Sequence, residues 1–172
     1  MFEEQILLGP EKRSIRVDTH RGNPVRNEIA PNPGEAGTRR YGLLRKRYGS
    51  QWKNRKSACG VYNCFGMLFA SRRTAIYDDD QVELILRDDG YRRVSAGEAV
   101  PGDIVLYRIA SSGELRHGAL VLRSDRLVGS SSAPVHFVLS KWNDSMGEDE
   151  HNVRSVAWDD VDSIEFWTDR QL

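Results

Sequence analysis

The sequence predicts an α+β protein, because its helical patterns come first and a run of strand patterns follows them. Two helices are expected between residues 63 and 90, and four strand-like segments follow between residues 104 and 168. The first two strands are separated by the short polar stretch 111–114, which is typical of a hairpin connection. This order favours antiparallel pairing over the parallel sheet of an alternating α/β protein.

The N-terminal third is expected to be an arm followed by a short helix. Residues 22–37 contain three prolines among glycine and asparagine, with little apolar periodicity, which is typical of a loop or an extended surface arm. Residues 39–48 can form a short basic helix. At 172 residues the chain fits one domain. We assign residues 1–57 to this N-terminal part, packed on a core of residues 58–172.

The core begins with two helices that have recognisable ends. Asn63 can cap a helix whose first residue is Cys64. The acidic residues 78–80 supply a second helix start, and the Asp-Asp-Gly sequence at 88–90 ends that helix. The expected strands are residues 104–109, 118–122, 135–139 and 163–168.

Charge is balanced overall but unevenly distributed. Lys+Arg and Asp+Glu number 25 each, so the formal net charge of +0 gives no global attraction to nucleic acid or anionic membrane. Residues 38–57 carry eight basic side chains and no acid, whereas residues 144–165 carry eight acids and one base. Each run can be a solvated face. Mutual attraction between the runs, or a polar substrate rim, is the alternative.

The sequence predicts a cytoplasmic protein with reduced cysteines. No segment reaches the roughly 18 apolar residues of a membrane span. The first five residues are acidic rather than basic, so no secretory signal is expected in this chain; a signal removed earlier, or export without one, stays open. Cys59 and Cys64 are too few for a disulfide scaffold.

Cys64 is the candidate nucleophile. A thiol in the first turn of a helix faces unpaired backbone N–H groups and the positive end of the dipole, which favours the thiolate. Gly66 costs about 1 kcal/mol relative to alanine inside a helix, so its lack of a side chain is expected to let another group approach closely. The alternative is an inert cysteine buried beside an apolar helix. Cys59 is the weaker competitor, because no helical run starts at it.

His117 is the candidate base. A cysteine nucleophile needs a histidine within hydrogen-bond reach, usually from a distant part of the sequence. His117 lies 53 residues after Cys64 (117 − 64) and opens the second strand of the hairpin. The two side chains would meet if His117 faces the N-terminus of the Cys64 helix. The backbone N–H of Cys64 would then help to hold an oxyanion.

Three motifs together resemble those of the NlpC-type cysteine peptidases, a papain-like family. They are Cys64-Phe65-Gly66-Met67, Pro101-Gly102-Asp103-Ile104 and His117-Gly118-Ala119-Leu120. The resemblance covers roughly residues 58–170. It implies a papain-like NlpC-type fold, with N-terminal helices packed on an antiparallel sheet of about five to six strands, and an NlpC-like catalytic core at residues 58–172. It also implies a thiol-dependent hydrolase or acyltransferase acting on a peptide, isopeptide or peptidoglycan stem-peptide amide.

The chain departs from the family pattern at two places. Asn63 replaces the usual aspartate before the cysteine, and the usual region of the third catalytic residue contains the serines 130–132. The sequence Ser140-Lys141-Trp142, followed by acidic residues and His151, resembles a divergent branch of the family. That resemblance implies that His151 accepts the ring N–H of His117 and fixes its tautomer.

Other assignments of the third residue stay open. His151 can instead be a surface histidine in an acidic loop. His136 alternates with apolar neighbours, which is typical of a satisfied or solvent-facing strand histidine. The serines 130–132, or a backbone carbonyl, are the remaining alternatives. His20 lies in the polar arm and is expected to be exposed.

No metal or other cofactor is expected. The four histidines and two cysteines form no Cys-x-x-Cys or His-x-x-x-His spacing, and no glycine-rich phosphate loop is present. Aromatic residues in the basic stretch could stack on bases, but they also mark ordinary amphipathic helices, so nucleic acid is not the expected partner. The partner implied by the resemblance is a peptide or other amide substrate.

Two further functions compete with the thiol hydrolase. One is a catalytically silent NlpC-like binding module, in which Cys64 is not reactive. The other is an effector or toxin domain that deamidates or cleaves a host protein.

Overall fold

The computed structural model describes residues 13–125 and 134–171. The helices are α1 (Glu35–Tyr48), α2 (Cys64–Phe69) and α3 (Asp79–Asp88), and a 3-10 turn (Gly49–Gln51) follows α1. The strands are β1 (Trp52–Lys56), β2 (Arg92–Val94), β3 (Ile104–Arg108), β4 (Leu115–Asp125), β5 (Val135–Lys141), β6 (Glu148–Asn152) and β7 (Ser163–Thr168). These strands form one sheet in the order β1-β6-β5-β4-β3-β7-β2, and every neighbouring pair is antiparallel.

The predicted α+β class and the antiparallel hairpin are confirmed. β3 and β4 pair with Ile104 opposite Leu120 and Tyr107 opposite His117. The described sheet has seven strands rather than five to six, because the polar segments β1, β2 and β6 also join it. These three were not predicted: β1 and β6 have almost no apolar periodicity, and their backbone ladder and opposite charges hold them together instead.

α2 begins at Cys64, as predicted, and the reason is the expected cap. The Asn63 side-chain oxygen accepts the Gly66 N–H at 2.9 Å and also the Ile76 N–H at 3.1 Å. The close approach expected at Gly66 is also confirmed, since a Cβ there would lie 1.8 Å from the carbonyl oxygen of Thr74. The cap and this glycine therefore fix how the start of α2 joins the loop before α3.

The sheet lies between two layers of side chains that differ in composition. On one side, here called the helix face, α2 and α3 cover Leu106, Leu115 and Gly118. On the other side, here called the aromatic face, Tyr107, His117 and Ala119 lie against Trp142 and the segment 153–161. Side chains that alternate along a strand therefore enter different environments.

The basic and acidic runs of the sequence meet in the fold. β1 pairs with β6 so that Lys53 lies opposite Glu150 and Lys56 lies opposite Glu148. The Arg45 Nε atom also lies 3.5 Å from a carboxylate oxygen of Asp149. Mutual attraction, the alternative to two independent solvated faces, is thus present. In the described part of the chain, no helix has the length and apolar character needed to cross a membrane.

We expect Gly66→Ala to lower the free energy of unfolding by about 3 kcal/mol or more, because the methyl group would overlap a backbone carbonyl. The matched control is Gly42→Ala in α1, where an added Cβ meets no atom within 4 Å. That change should stabilise the protein by roughly 0.5–1 kcal/mol. Urea denaturation of the two variants tests both signs, and equal effects would contradict the packing described for α2.

Candidate functional site

The Cys64 side chain is at the predicted position, the first residue of α2, but it is almost fully shielded from water. It is 7% exposed and packs among apolar residues of α2, α3 and β3. Burial raises the pKa of the Cys64 thiol to about 11, although hydrogen bonds from the backbone of Gly118, Phe65 and Cys64 itself, and the charge of Lys141, act in the opposite direction. The predicted low pKa is therefore wrong: the loss of water outweighs the effect of the six-residue helix.

His117 lies on the aromatic face, whereas Cys64 lies on the helix face. The neighbour of His117, Gly118, faces α2 so closely that a Cβ there would be 2.8 Å from Leu68 Cδ1. His117 is fully buried, and its ring packs against three aromatic side chains, those of Tyr107, Trp142 and Trp158. Within the described residues, no hydrogen bond links Cys64 to His117. The Cys64 thiol does reach the backbone N–H of Gly118, the residue next to His117.

A β-bulge in β4 lies directly before His117. Tyr107 pairs with His117, but the next residue of β3, Arg108, pairs with Leu115, so Arg116 is an extra residue. Under strict alternation Leu115 and His117 would share a face. The extra residue reverses the phase of Leu115, which packs with α2 and α3, whereas His117 keeps the regular alternation of residues 117–120 and points away from them.

The structure does bring His117 and His151 together, through a serine. The Ser140 Oγ atom lies 2.8 Å from His117 Nε2 and 2.7 Å from His151 Nε2. His151 lies in β6 and is 1% exposed, so the alternative of a surface histidine in an acidic loop is wrong. The resemblance implied that His151 accepts the His117 ring N–H directly. In the structure the Ser140 hydroxyl lies between the two imidazoles, so the contact is indirect.

The tautomers follow from the partners of each ring. His151 Nδ1 lies 2.7 Å from the carbonyl oxygen of Asn152, which can only accept, so this nitrogen carries the proton. The neutral ring then has a bare Nε2, which accepts the Ser140 O–H. The Ser140 oxygen in turn accepts the N–H from His117 Nε2, which leaves His117 Nδ1 unprotonated. That Nδ1 atom is buried without a hydrogen-bond partner among the described groups.

Burial keeps both imidazoles neutral. It lowers the pKa of His117 to about 3, and the charge of His151 adds to this effect. It also lowers the pKa of His151 to about 4, although the hydrogen bond to the Asn152 carbonyl opposes the shift. Ser140 is fully buried as well. This cluster therefore works as an internal polar network under aromatic side chains, with no route for a substrate in this conformation.

Ser140 is the residue that sequence reasoning missed. It lies within the Ser140-Lys141-Trp142 motif, but the motif was used only to locate His151. The available signal was a polar residue inside the otherwise apolar strand pattern of residues 135–140. Its cross-strand neighbour, Ala119, is small, and this leaves room for the hydroxyl between the two imidazoles.

The other candidate residues do not join this cluster. His136 is buried and satisfied, as one of the two alternatives predicted: its Nδ1 lies 2.8 Å from Ser124 Oγ and its Nε2 lies 2.7 Å from the Ala96 carbonyl. His20 is exposed. The serines 130–132 lie outside the described residues. Cys59 is half-buried.

The well-formed cavity of the described chain lies apart from the predicted residues. Within residues 13–125 and 134–171, no group of three or more His, Cys, Asp or Glu side chains is placed to hold a metal ion. A cavity of about 520 Å³ lies between the ends of β2, β5, β6 and β7. Cys64, His117 and His151 do not line it.

We expect Ser140→Ala to lower the free energy of unfolding by roughly 2–4 kcal/mol, because two buried imidazole nitrogens would lose their partner. The control is Ser111→Ala in the exposed hairpin turn, which should change stability by less than about 0.5 kcal/mol. Urea denaturation at pH 7 measures both. Equal, small effects would mean that the hydroxyl does not join the two rings.

Stability should fall as the pH decreases from about 6.5 toward 4. The unfolded histidines bind protons near pH 6.5, whereas the folded His117 and His151, with pKa values of about 3 and about 4, do not. The stabilisation is complete above pH 6.5, and each histidine loses up to about 1.4 kcal/mol per pH unit below it. Urea denaturation between pH 7 and pH 5.5 should therefore show a shallower slope for His151→Gln than for the wild type. A wild-type slope in His151→Gln would contradict its neutral burial.

Comparison with family models, curated proteins and solved structures finds no match for this chain. The resemblance to the NlpC-type peptidases thus rests on the sequence motifs alone. The function has to be argued from the geometry of Cys64, His117 and their surroundings.

Proposed function

We propose that this chain is a catalytically silent binding domain that resembles NlpC-type peptidases in sequence. One observation carries the proposal: His117 alternates with Gly118, so its ring enters the aromatic face, whereas Gly118 faces α2 and Cys64 packs in the apolar cluster of the helix face. A thiol nucleophile requires a base within hydrogen-bond reach. The described residues provide no imidazole that hydrogen-bonds to this thiol.

The protonation state of Cys64 supports the same function. With a pKa of about 11, roughly one thiol in ten thousand is ionised at pH 7. The thiol is also closed off from solvent by the apolar packing of α2 against the sheet. Both properties support a silent domain, because attack on a carbonyl needs an ionised sulfur and an open approach.

The thiol hydrolase or acyltransferase acting on an amide bond is the second candidate. It is favoured by Cys64 at the first position of α2, by the Asn63 cap and by the proximity of the Lys141 charge to the thiol. It would require His117 Nδ1, which is unprotonated and has no hydrogen-bond partner among the described groups, to come within reach of the thiol. The two candidates differ in one measurable property, the reactivity of Cys64 in the folded protein.

We expect iodoacetamide at pH 7 to modify the half-buried Cys59 faster than Cys64 in the native protein. Cys64 should react at least about a hundredfold more slowly than free cysteine, because its thiol is protonated and buried. Peptide mapping by mass spectrometry follows each site separately. In urea both cysteines should react at similar rates, which serves as the control.

Faster modification of Cys64 than of Cys59 in the native protein would overturn the silent-domain proposal. The thiol hydrolase would then become the better candidate. In the variant Cys59→Ser the modification of Cys64 can be measured alone. Its rate relative to free cysteine decides between the same two candidate functions.

A further inference from the structure

The outer edge of β1 combines open backbone with positive charge. β1 is the terminal strand of the described sheet, and in the described part of the chain no strand pairs with its outer side. Four of its five residues are exposed. We call Lys53, Arg55 and Lys56 the basic edge, and α1 adds the exposed Arg47 through the turn that joins it to β1. An open edge strand is a template for another strand.

The inner side of β1 indicates which strand it accepts. There it pairs with β6, whose sequence begins Glu-Asp-Glu, and Lys53 lies opposite Glu150. Arg55 Nε also lies 3.6 Å from a carboxylate oxygen of Glu150. Oppositely charged cross-strand neighbours stabilise an antiparallel pair. A second acidic strand on the outer side would meet the same three basic side chains.

Two other polyanions fit this edge less well. The aromatic residues that could stack on nucleic-acid bases are turned inward: Trp52 is 3% exposed and stacks on Tyr48 with ring centroids 4.1 Å apart. Base stacking supplies much of the affinity for single strands. For a membrane surface, the large exposed apolar side chain on α1 is Leu43 alone among the described residues, whereas an interfacial helix needs a continuous apolar face.

We propose that the basic edge binds an extended acidic segment of a partner protein by strand addition to β1. The partner backbone continues the sheet beyond β1, and its carboxylates pair with Lys53, Arg55 and Lys56. This inference names a partner class for the binding domain proposed above and rests on that proposal. Cys64 labelling and strand binding are separate measurements, so either can fail alone.

The experiment uses the full chain and a fluorescein-labelled peptide with the sequence of residues 147–153, Gly-Glu-Asp-Glu-His-Asn-Val. Fluorescence anisotropy at low salt should show saturable binding that weakens as salt is added. The variant Lys53→Glu/Arg55→Glu should weaken binding by roughly tenfold or more, because two favourable pairs become repulsive. The control Arg21→Glu/Arg73→Glu changes the net charge equally at exposed sites outside α1, β1 and β6 and should bind as the wild type does.

A backbone test on the wild-type protein avoids any folding defect of the charge-reversed variant. Two peptides are N-methylated at alternate residues, so that one blocks the N–H groups facing β1 and the other blocks those facing solvent. The peptide whose blocked N–H groups face β1 should bind roughly tenfold or more weakly, whereas the other peptide should keep its affinity. Equal binding by both peptides, or binding that the Arg21→Glu/Arg73→Glu control loses equally, would overturn strand addition. Tighter binding of an oligothymidylate, or of phosphatidylserine vesicles, would overturn the choice of an acidic peptide.

Discussion

The strict alternation of residues 117–120 along β4 is the constraint on which the arrangement of both faces depends. Because Arg116 is an extra residue before this run, Leu115 shares the helix face with Gly118 and Leu120, whereas His117 takes the opposite side. Leu115 then completes the apolar cluster under α2 and α3, and the bare Gly118 lets Phe65 and Leu68 approach the sheet. His117 is directed into the aromatic layer, where Trp142 stacks on its ring with centroids 5.5 Å apart. A shift of one residue would exchange these environments.

Both chemically reactive groups are consequently held in their neutral forms by the same physical effect. Burial raises the pKa of an acid and lowers that of a base, so the Cys64 thiol keeps its proton while the His117 ring does not take one. A catalytic pair escapes this penalty because each ion stabilises the other at close range. Here no hydrogen bond joins the two groups among the described residues; Ser140 links His117 Nε2 to His151, and His117 Nδ1 has no partner there.

The sequence was informative wherever a local signal decided the structure. Asn63 marked the start of α2, the polar turn at 111–114 marked the hairpin, and residues 163–168 formed the strand expected from their apolar and aromatic content. β1 and β6 carried no such signal, because their pairing depends on charges brought together from distant positions. The direction of His117 was available from the pattern: in strict alternation it lies on the opposite side of the strand from Gly118 and Leu120, which face α2. His151 could be assigned to the neighbourhood of His117, but the bridging hydroxyl of Ser140 could not.

The direction of the His117 side chain can be measured in solution by NMR. Long-range ¹H–¹⁵N correlations should show the His117 proton on Nε2 and the His151 proton on Nδ1 at pH 7. Nuclear Overhauser effects from the His117 ring should reach the indole protons of Trp142 and Trp158, whose rings lie within 6 Å of it. A strong effect between the His117 ring and the Cys64 β-protons, with the proton on His117 shared toward the sulfur, would contradict the account. It would place the two residues on the same face and restore the thiol site.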